Sequence, residues 1–351
     1  MALYDSVAEL SLEVESFALD RLEQPVSSEF TRVTTVVRLR GDGEEGVGED
    51  VTYAAEDQTV FQQEGLKLPL TGSHALDSFS ELVGRLELFP LQPDMAAYYD
   101  YRRWALESAA LDLALRQAGR SLAETVGRDP RPVRFVVSMG LGDPPSTARV
   151  HGWLEHYPDL QFKLDPRSSW TEELVAELAA TGAVESVDLK GQYSGTVVDQ
   201  PPDPHLYRLV AEGFPEAFIE DPALTEETDV ILRPHRDRIT WDAIIHSVED
   251  IESLPFPPRT INIKPSRFGS LRRLFNTYDY CAGQGIRPYG GGQFELGPGR
   301  GQIQYLASLF HPDAPNDVAP SAFNAEEPRP GLPTSPLEPR LEPRGFGWAG
   351  D

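Results

Sequence analysis

From Val133 to Gly292 the chain alternates short strand patterns with helical ones, and no other feature limits its fold as strongly. Strand runs "VRFVVSMGL", "LQFKLD", "VESVDLKG", "EAFIED", "ITWDAII", "TINIKP" and "IRPYGGG" are separated, in all but one interval, by helical runs such as "STARVHGWLEHY" and "TEELVAELAATG". Short strands alternating with helices call for a parallel sheet joined by crossovers. Seven or eight units over this length predict a (β/α)7-8 barrel of the α/β class, with an open doubly wound sheet as the alternative. No G-x-G-x-x-G follows the first strand, and "SMGLGDPP" is a poor substitute, so nucleotide binding has little support.

The preceding stretch follows another grammar. Leu10, Leu12 and Val14 alternate as in a half-buried strand, and "TRVTTVVRLRGDGEEGVGEDVTY" predicts a hairpin turning at Asp42-Gly43. A long helical pattern then runs from Asp94 to a stop at Gly119. Residues 1–128 are expected to form an α+β capping domain, 129–322 the barrel, and 323–351 a Pro-rich tail. The tail is expected to be extended or disordered, touching the cap through Phe346 and Trp348.

Composition excludes several classes of function. The formal net charge of −25 argues against nucleic acid as a partner. No long apolar run exists, so no membrane span is expected, and the first residues lack the pattern of a secretory signal. The single cysteine, Cys281, excludes an internal disulfide and suits a reducing cytoplasm. The seven histidines show no zinc-ligand spacing, and Ser266 has no G-x-S-x-G around it.

In a TIM-like barrel the reactive side chains gather at the C-terminal strand ends. Those ends hold Lys163 and Asp165, Asp188 and Lys190, Glu220 and Asp221, Asp242, Lys264, and Gly290 to Glu295. The chain has only four lysines against 27 arginines, and three lysines fall at these ends. A guanidinium stays protonated, whereas a partly buried lysine can release its proton and act as a base. Asp188, Glu220, Asp242 and Lys264 are 32, 22 and 22 residues apart, close to one βα repeat each. Carboxylates converging in a closed barrel repel one another unless a cation sits among them, and oxygen ligands suit Mg²⁺ or Mn²⁺.

The hairpin "TTVVRLRGDGEEGVGED", the helix "ALESAALDLALRQAGRSLAETVG" and the strand ends "IEDP", "TWD", "NIKPSRFGSL" and "PYGGGQFELGPGR" together resemble the enolase superfamily. The branch it resembles is the mandelate racemase and muconate-lactonising group, with its o-succinylbenzoate synthase-like and N-acylamino-acid racemase-like enzymes. The resemblance spans about residues 5–325 and implies a Mg²⁺-dependent enzyme. Such an enzyme removes the α-proton of a small carboxylic acid to give a metal-stabilised enediolate. It implies metal ligation by Asp188, Glu220 and Asp242, a base at Lys264, and Lys163 as the first lysine of a K-x-K pair. Gly291, Gly292 and Glu295 match a G-G-x-x-E stretch beside the substrate, and cap residues 24–30 match a loop closing over it. Even-numbered homo-oligomers are common among such look-alikes.

Two positions depart from that pattern. Asp165 stands where the second K-x-K lysine is expected, and Lys190 where an asparagine often follows the first metal ligand. Asp165 is either a helix cap or a catalytic group. Lys190 either pairs with a carboxylate or binds substrate. With one evident lysine base, elimination of a β-leaving group is expected ahead of racemisation or epimerisation, which need a second acid on the opposite face. A barrel that keeps the fold and the metal without turnover is the remaining alternative. Asp221, before Pro222, is expected to be a helix cap. Arg287 and Arg300 are the candidates for a second substrate carboxylate.

Overall fold

The structure, a computed structural model, describes residues 2–26, 30–193 and 199–348. In the N-terminal part, β1 (Ser11–Val14) and β5 (Gly72–Ala75) pair antiparallel. The strands β2 (Ser16–Pro25), β3 (Thr31–Gly41) and β4 (Glu44–Asp50) form an antiparallel sheet of three. The β3–β4 turn is made by Asp42 and Gly43, with φ of 50° and 75°. Positive φ at both positions gives the turn a twist that matches its strands. The helix Ala97–Gln117 lies on this sheet with Ala105, Leu106, Ala109, Leu113 and Ala114 fully buried.

The barrel begins with β6 (Val137–Met139), β7 (Phe162–Leu164), β8 (Val184–Asp188), β9 (Phe218–Glu220) and β10 (Ile239–Thr240), parallel neighbours in that order. A second parallel pair, β11 (Thr260–Ile263) and β12 (Arg287–Gly290), continues it. The Asn262 N–H donates to the Trp241 carbonyl at 2.9 Å and links the two sheets. The ring closes through a reduced eighth position. Asp317 N–H donates to Gly290 O at 2.8 Å, and Val136 N–H donates to Asn316 O at 2.8 Å. The sheet is therefore closed, and the open doubly wound alternative does not apply. The eighth unit is hard to see in sequence because Asn316 and Asp317 carry no apolar run.

Strand periodicity then sorts the side chains. Phe162, Leu164, Val187, Ile219, Ile239, Ile261 and Ile263 are fully buried apolar residues. Alternating with them are Lys163, Ser186, Asp188, Glu220, Thr240, Asn262 and Lys264, which a period of two puts on the opposite, inner face. One register thus builds both an apolar shell and a polar interior.

Cap and barrel are joined by charge-assisted hydrogen bonds. Arg32, fully buried, donates to the carbonyls of Gln293 at 2.9 Å and Phe294 at 3.1 Å. Glu49 accepts from the N–H groups of Leu296 at 2.7 Å and of Gly297 and Gly299 at 3.0 Å. These N–H groups open the helix Pro298–Phe310, whose own cap position, Gly297, has no side chain to satisfy them. A carboxylate of the cap domain thus caps a barrel helix. The tail is ordered through Trp348, with Phe346 fully buried and its N–H donating to Asp112 at 2.7 Å. No helix among the described residues is long and apolar enough to cross a membrane. Of the expected closing loop at 24–30, residues 27–29 lie outside the described residues.

Candidate active site

Each strand delivers its charged residue at or just beyond its C-terminal end. Asp188 and Glu220 end β8 and β9 and are direct neighbours in the parallel register. Asp242 follows β10 by two residues, and Lys264 follows β11 directly. All three carboxylates are fully buried, and Lys264 is 7% exposed. Such charges persist in a barrel only when paired, and here every one is.

Lys163, 2% exposed on β7, pairs most closely with Glu220 and lies 3.4 Å from Asp188 and 3.6 Å from Asp317. Burial disfavours its ammonium, but the surrounding carboxylates outweigh that and raise its pKa well above the ordinary value. The Lys190 ammonium lies 2.5 Å from Asp188 and 3.3 Å from Asp165. Burial pushes the Asp188 carboxyl up, yet the Lys190 and Lys163 ammoniums hold it below the usual carboxylate range. Asp242 accepts from Arg267 at 2.6 Å and from the Tyr193 hydroxyl at 3.0 Å, and lies 2.9 Å from Lys264 Nζ. Arg267 and Lys264 overcome its burial and depress its pKa. Glu220 also accepts from the Tyr289 hydroxyl, and burial raises its pKa.

Gly291 and Gly292 follow β12, where side chains would collide with the site. A Cβ at 291 would lie 2.8 Å from Lys264 Cε and 3.0 Å from Asn262 Oδ1. A Cβ at 292 would lie 2.2 Å from Glu295 Oε2. Glu295, 4% exposed, accepts from the Gln293 N–H at 2.6 Å and lies 3.6 Å from Arg300. Because Lys264 Cε is the flexible neighbour, Gly291→Ala is expected to move the amine rather than unfold the barrel. Its turnover should fall about 10²-fold, as for an ångström-scale misplacement. Its thermal midpoint should stay within a few degrees of the parent, as a calorimetric scan would show.

Besides Tyr193 and Asp317, three groups at the site were not anticipated from the sequence. Arg267 is 3% exposed and binds Asp242, and one turn of helix after Lys264 is the only sequence signal for it. Tyr289 reaches Glu220 from β12. Asn262 is 1% exposed, with neither amide atom hydrogen bonded, and it sits two residues before Lys264 on the same strand face. That spacing of two was the missed clue. Two expectations are corrected. Asp221 is not a helix cap, because Thr225 caps the next helix. It accepts the N–H groups of Asp242 and Ala243, both at 2.8 Å, and so fixes the turn that presents Asp242. Burial, with Asp242 and Asp188 nearby, pushes Asp221 up to about 7. Arg287 starts β12 and lines a cavity of about 540 Å³ with Arg128, Arg131 and Arg134. That cavity opens at the N-terminal mouth of the barrel, away from Lys264, so Arg287 is no substrate ligand.

The donor set suits a hard divalent ion, being three buried carboxylates from adjacent strand ends with no sulfur or imidazole among them. Among the described residues, no three potential ligands are drawn around a single point. Ammonium groups stand between the oxygens.

A closed (β/α) barrel with an α+β cap bonded to its rim is the fold shared with solved members of the enolase superfamily, and here buried lysines interleave with carboxylates at the strand ends. Residues 129–325 match the "Domain of unknown function (DUF8230) C-terminal domain", and residues 5–125 the corresponding N-terminal domain. The chain belongs to this DUF8230 family. An N-succinylamino acid racemase of Amycolatopsis sp is 27% identical over 340 residues, covering 88% of this chain and 87% of the relative. An o-succinylbenzoate synthase of Bacillus subtilis (strain 168) is 29% identical over 266 residues, covering 71% and 69%. A dipeptide epimerase from Methylococcus capsulatus, complexed with Mg ion, superposes with a TM-score of 0.64 at 20% identity, covering 87% of this chain and 89% of that one.

Proposed function

We propose that this enzyme removes the α-proton of a small carboxylic acid with Lys264 and then expels a β-leaving group, as a lyase of the o-succinylbenzoate synthase kind. The observation that carries the reading is the position of Lys264. It is an amine at a barrel strand end, 7% exposed and 2.9 Å from one carboxylate, flanked by Asn262 and the bare backbone of Gly291. Asp188, Glu220 and Asp242 are the residues that would hold Mg²⁺, which when bound would supply positive charge for the substrate carboxylate.

The chain's own groups account for the rest. Lys264 takes the α-proton, the carbon–carbon double bond forms as the β carbon–oxygen bond breaks, and the Lys264 ammonium returns a proton to the departing hydroxide as water. Base and acid are then one group on one face, which elimination permits. Arg267 and Tyr193 hold Asp242, and through it the resting place of Lys264. Lys163 is committed to three carboxylates. It therefore contributes fixed positive charge to the pocket in preference to a proton. Gly291 adjoins Lys264, Gly292 adjoins Glu295, and the cap residues Arg32 and Glu49 are bonded to the segment that follows them.

A second reading, racemase or epimerase of N-acylamino acids or dipeptides, is favoured by the Amycolatopsis relative, which aligns over more of the chain than the Bacillus one. Incubation with Mg²⁺ in D₂O and a panel of β-hydroxy carboxylic acids, N-acylamino acids and dipeptides separates the two. Loss of water from the substrate mass means lyase. Deuterium uptake, seen as a mass gain of about one unit with no loss of water, means racemase. Absence of both across the panel would sink the proton-abstraction reading.

A further inference from the structure

The two residues that break the family pattern touch each other. Asp165, after β7, and Lys190, after β8, lie 3.3 Å apart across adjoining strands. Each is anomalous alone. A carboxylate replaces an expected lysine, and a lysine replaces an expected asparagine. Together they form a charge pair.

Lys190 does more than pair with Asp165. Its ammonium lies 2.5 Å from Asp188 Oδ2, and its own N–H donates to Asp188 Oδ1 at 3.1 Å. Both oxygens of one carboxylate are thus held by one residue. That grip requires a left-handed backbone at Lys190, with φ of 55°. Lysine rarely adopts this conformation and asparagine adopts it readily, so the surroundings impose it. The neighbouring bond from Gly191 N–H to Asp221 O at 2.9 Å anchors the turn. The Lys190 side chain is about one-sixth exposed, at 17%, so it has somewhere to move.

We propose that Lys190 is a resident cation that competes with the divalent ion for Asp188, and that Asp165 is the berth it takes when the ion binds. This rests on the reading above that Asp188, Glu220 and Asp242 receive Mg²⁺. The physical ground is electrostatic. An ammonium at contact distance from a buried carboxylate neutralises the charge that would attract the ion, and both cations need the same oxygen. With an anion at 165, the displaced ammonium shifts by one strand instead of being left buried and unpaired. Asp165 is well placed for this, because its Oδ1 is buried without a hydrogen bond, though within ion-pair range of Lys190. The device makes metal loading weaker than a bare carboxylate triad would give, and dependent on the position of one side chain.

Titration calorimetry with Mg²⁺ alone, on the wild type, Lys190→Gln and Asp165→Asn, tests the proposal. Circular dichroism would report folding, and Lys190→Asn would provide a second charge-removing variant. Lys190→Gln is expected to bind Mg²⁺ at least about tenfold more tightly than the wild type, as loss of a contact cation implies. Asp165→Asn is expected to bind more weakly than the wild type, since Lys190 loses its alternative partner. Binding by the wild type with unchanged or weaker affinity in both folded Lys190 variants would overturn the competition and leave the metal site standing. Wild-type affinity in Asp165→Asn would overturn the role of Asp165. Folded proteins of which none binds Mg²⁺ would overturn both this proposal and the metal assignment on which it rests.

Discussion

Lys264→Ala is expected to abolish measurable α-proton exchange, lowering its rate by about 10³-fold or more, within the range a positioned acid–base group contributes. Lys264→Arg should be as inactive, because a guanidinium does not release its proton at working pH. That pair of variants separates chemistry from packing. Asp242 retains Arg267 at 2.6 Å in either case, so no buried carboxylate is left bare. Thermal unfolding should therefore move little while deuterium uptake in D₂O, read by mass spectrometry, disappears. Exchange that survives in Lys264→Ala at a tenth of the parent rate or better would assign the base elsewhere.

Lys163→Met should behave in the opposite way, costing stability first. Its ammonium is 2% exposed and, among the described residues, is the one lysine amine that touches Glu220. Removing it leaves Glu220, whose other partner is the Tyr289 hydroxyl, without a cation beside two further carboxylates. Breaking a buried ion pair on one side typically costs about 3–5 kcal/mol, a large part of the stability of most domains. A urea melt should show the midpoint fall by a corresponding amount. Glu220→Gln combined with Lys163→Met should recover part of the loss, since the stranded charge is then gone. A Lys163→Met protein as stable as the parent would mean that Glu220 is held neutral by its burial, and that the ammonium carries little of the pocket's stability.

Much of this molecule could be anticipated from local patterns. Strand–helix alternation identified the barrel because each unit shows its own period, whatever the distant contacts are. The hairpin turn at Asp42-Gly43 was equally local, since only a few residues tolerate positive φ at both positions. Asp188, Glu220, Asp242 and Lys264 stood out for the same reason. A charged residue at the end of an apolar strand is visible in one dimension, and the barrel brings strand ends together by construction.

Partnership was not visible there. Nothing in "KPSRFG" assigns Arg267 to Asp242 rather than to solvent, and nothing in "DLKGQY" shows that Lys190 grips Asp188 and faces Asp165. Asp221 looked like a cap because aspartate before a helix usually is one. The fold gave it the N–H groups of the next strand's turn instead. The eighth barrel position shrank to Asn316 and Asp317, too short to carry any period. Element type and the residues at strand ends follow from neighbours along the chain, whose periodicity is written in order. Which cation answers which carboxylate follows from the packing of strand ends around the ring, which brings residues tens of positions apart, such as Arg267 and Asp242 at 2.6 Å, into ion-pair contact. Those pairings decide how much charge the site keeps for a metal and a substrate, and only the closed barrel determines them.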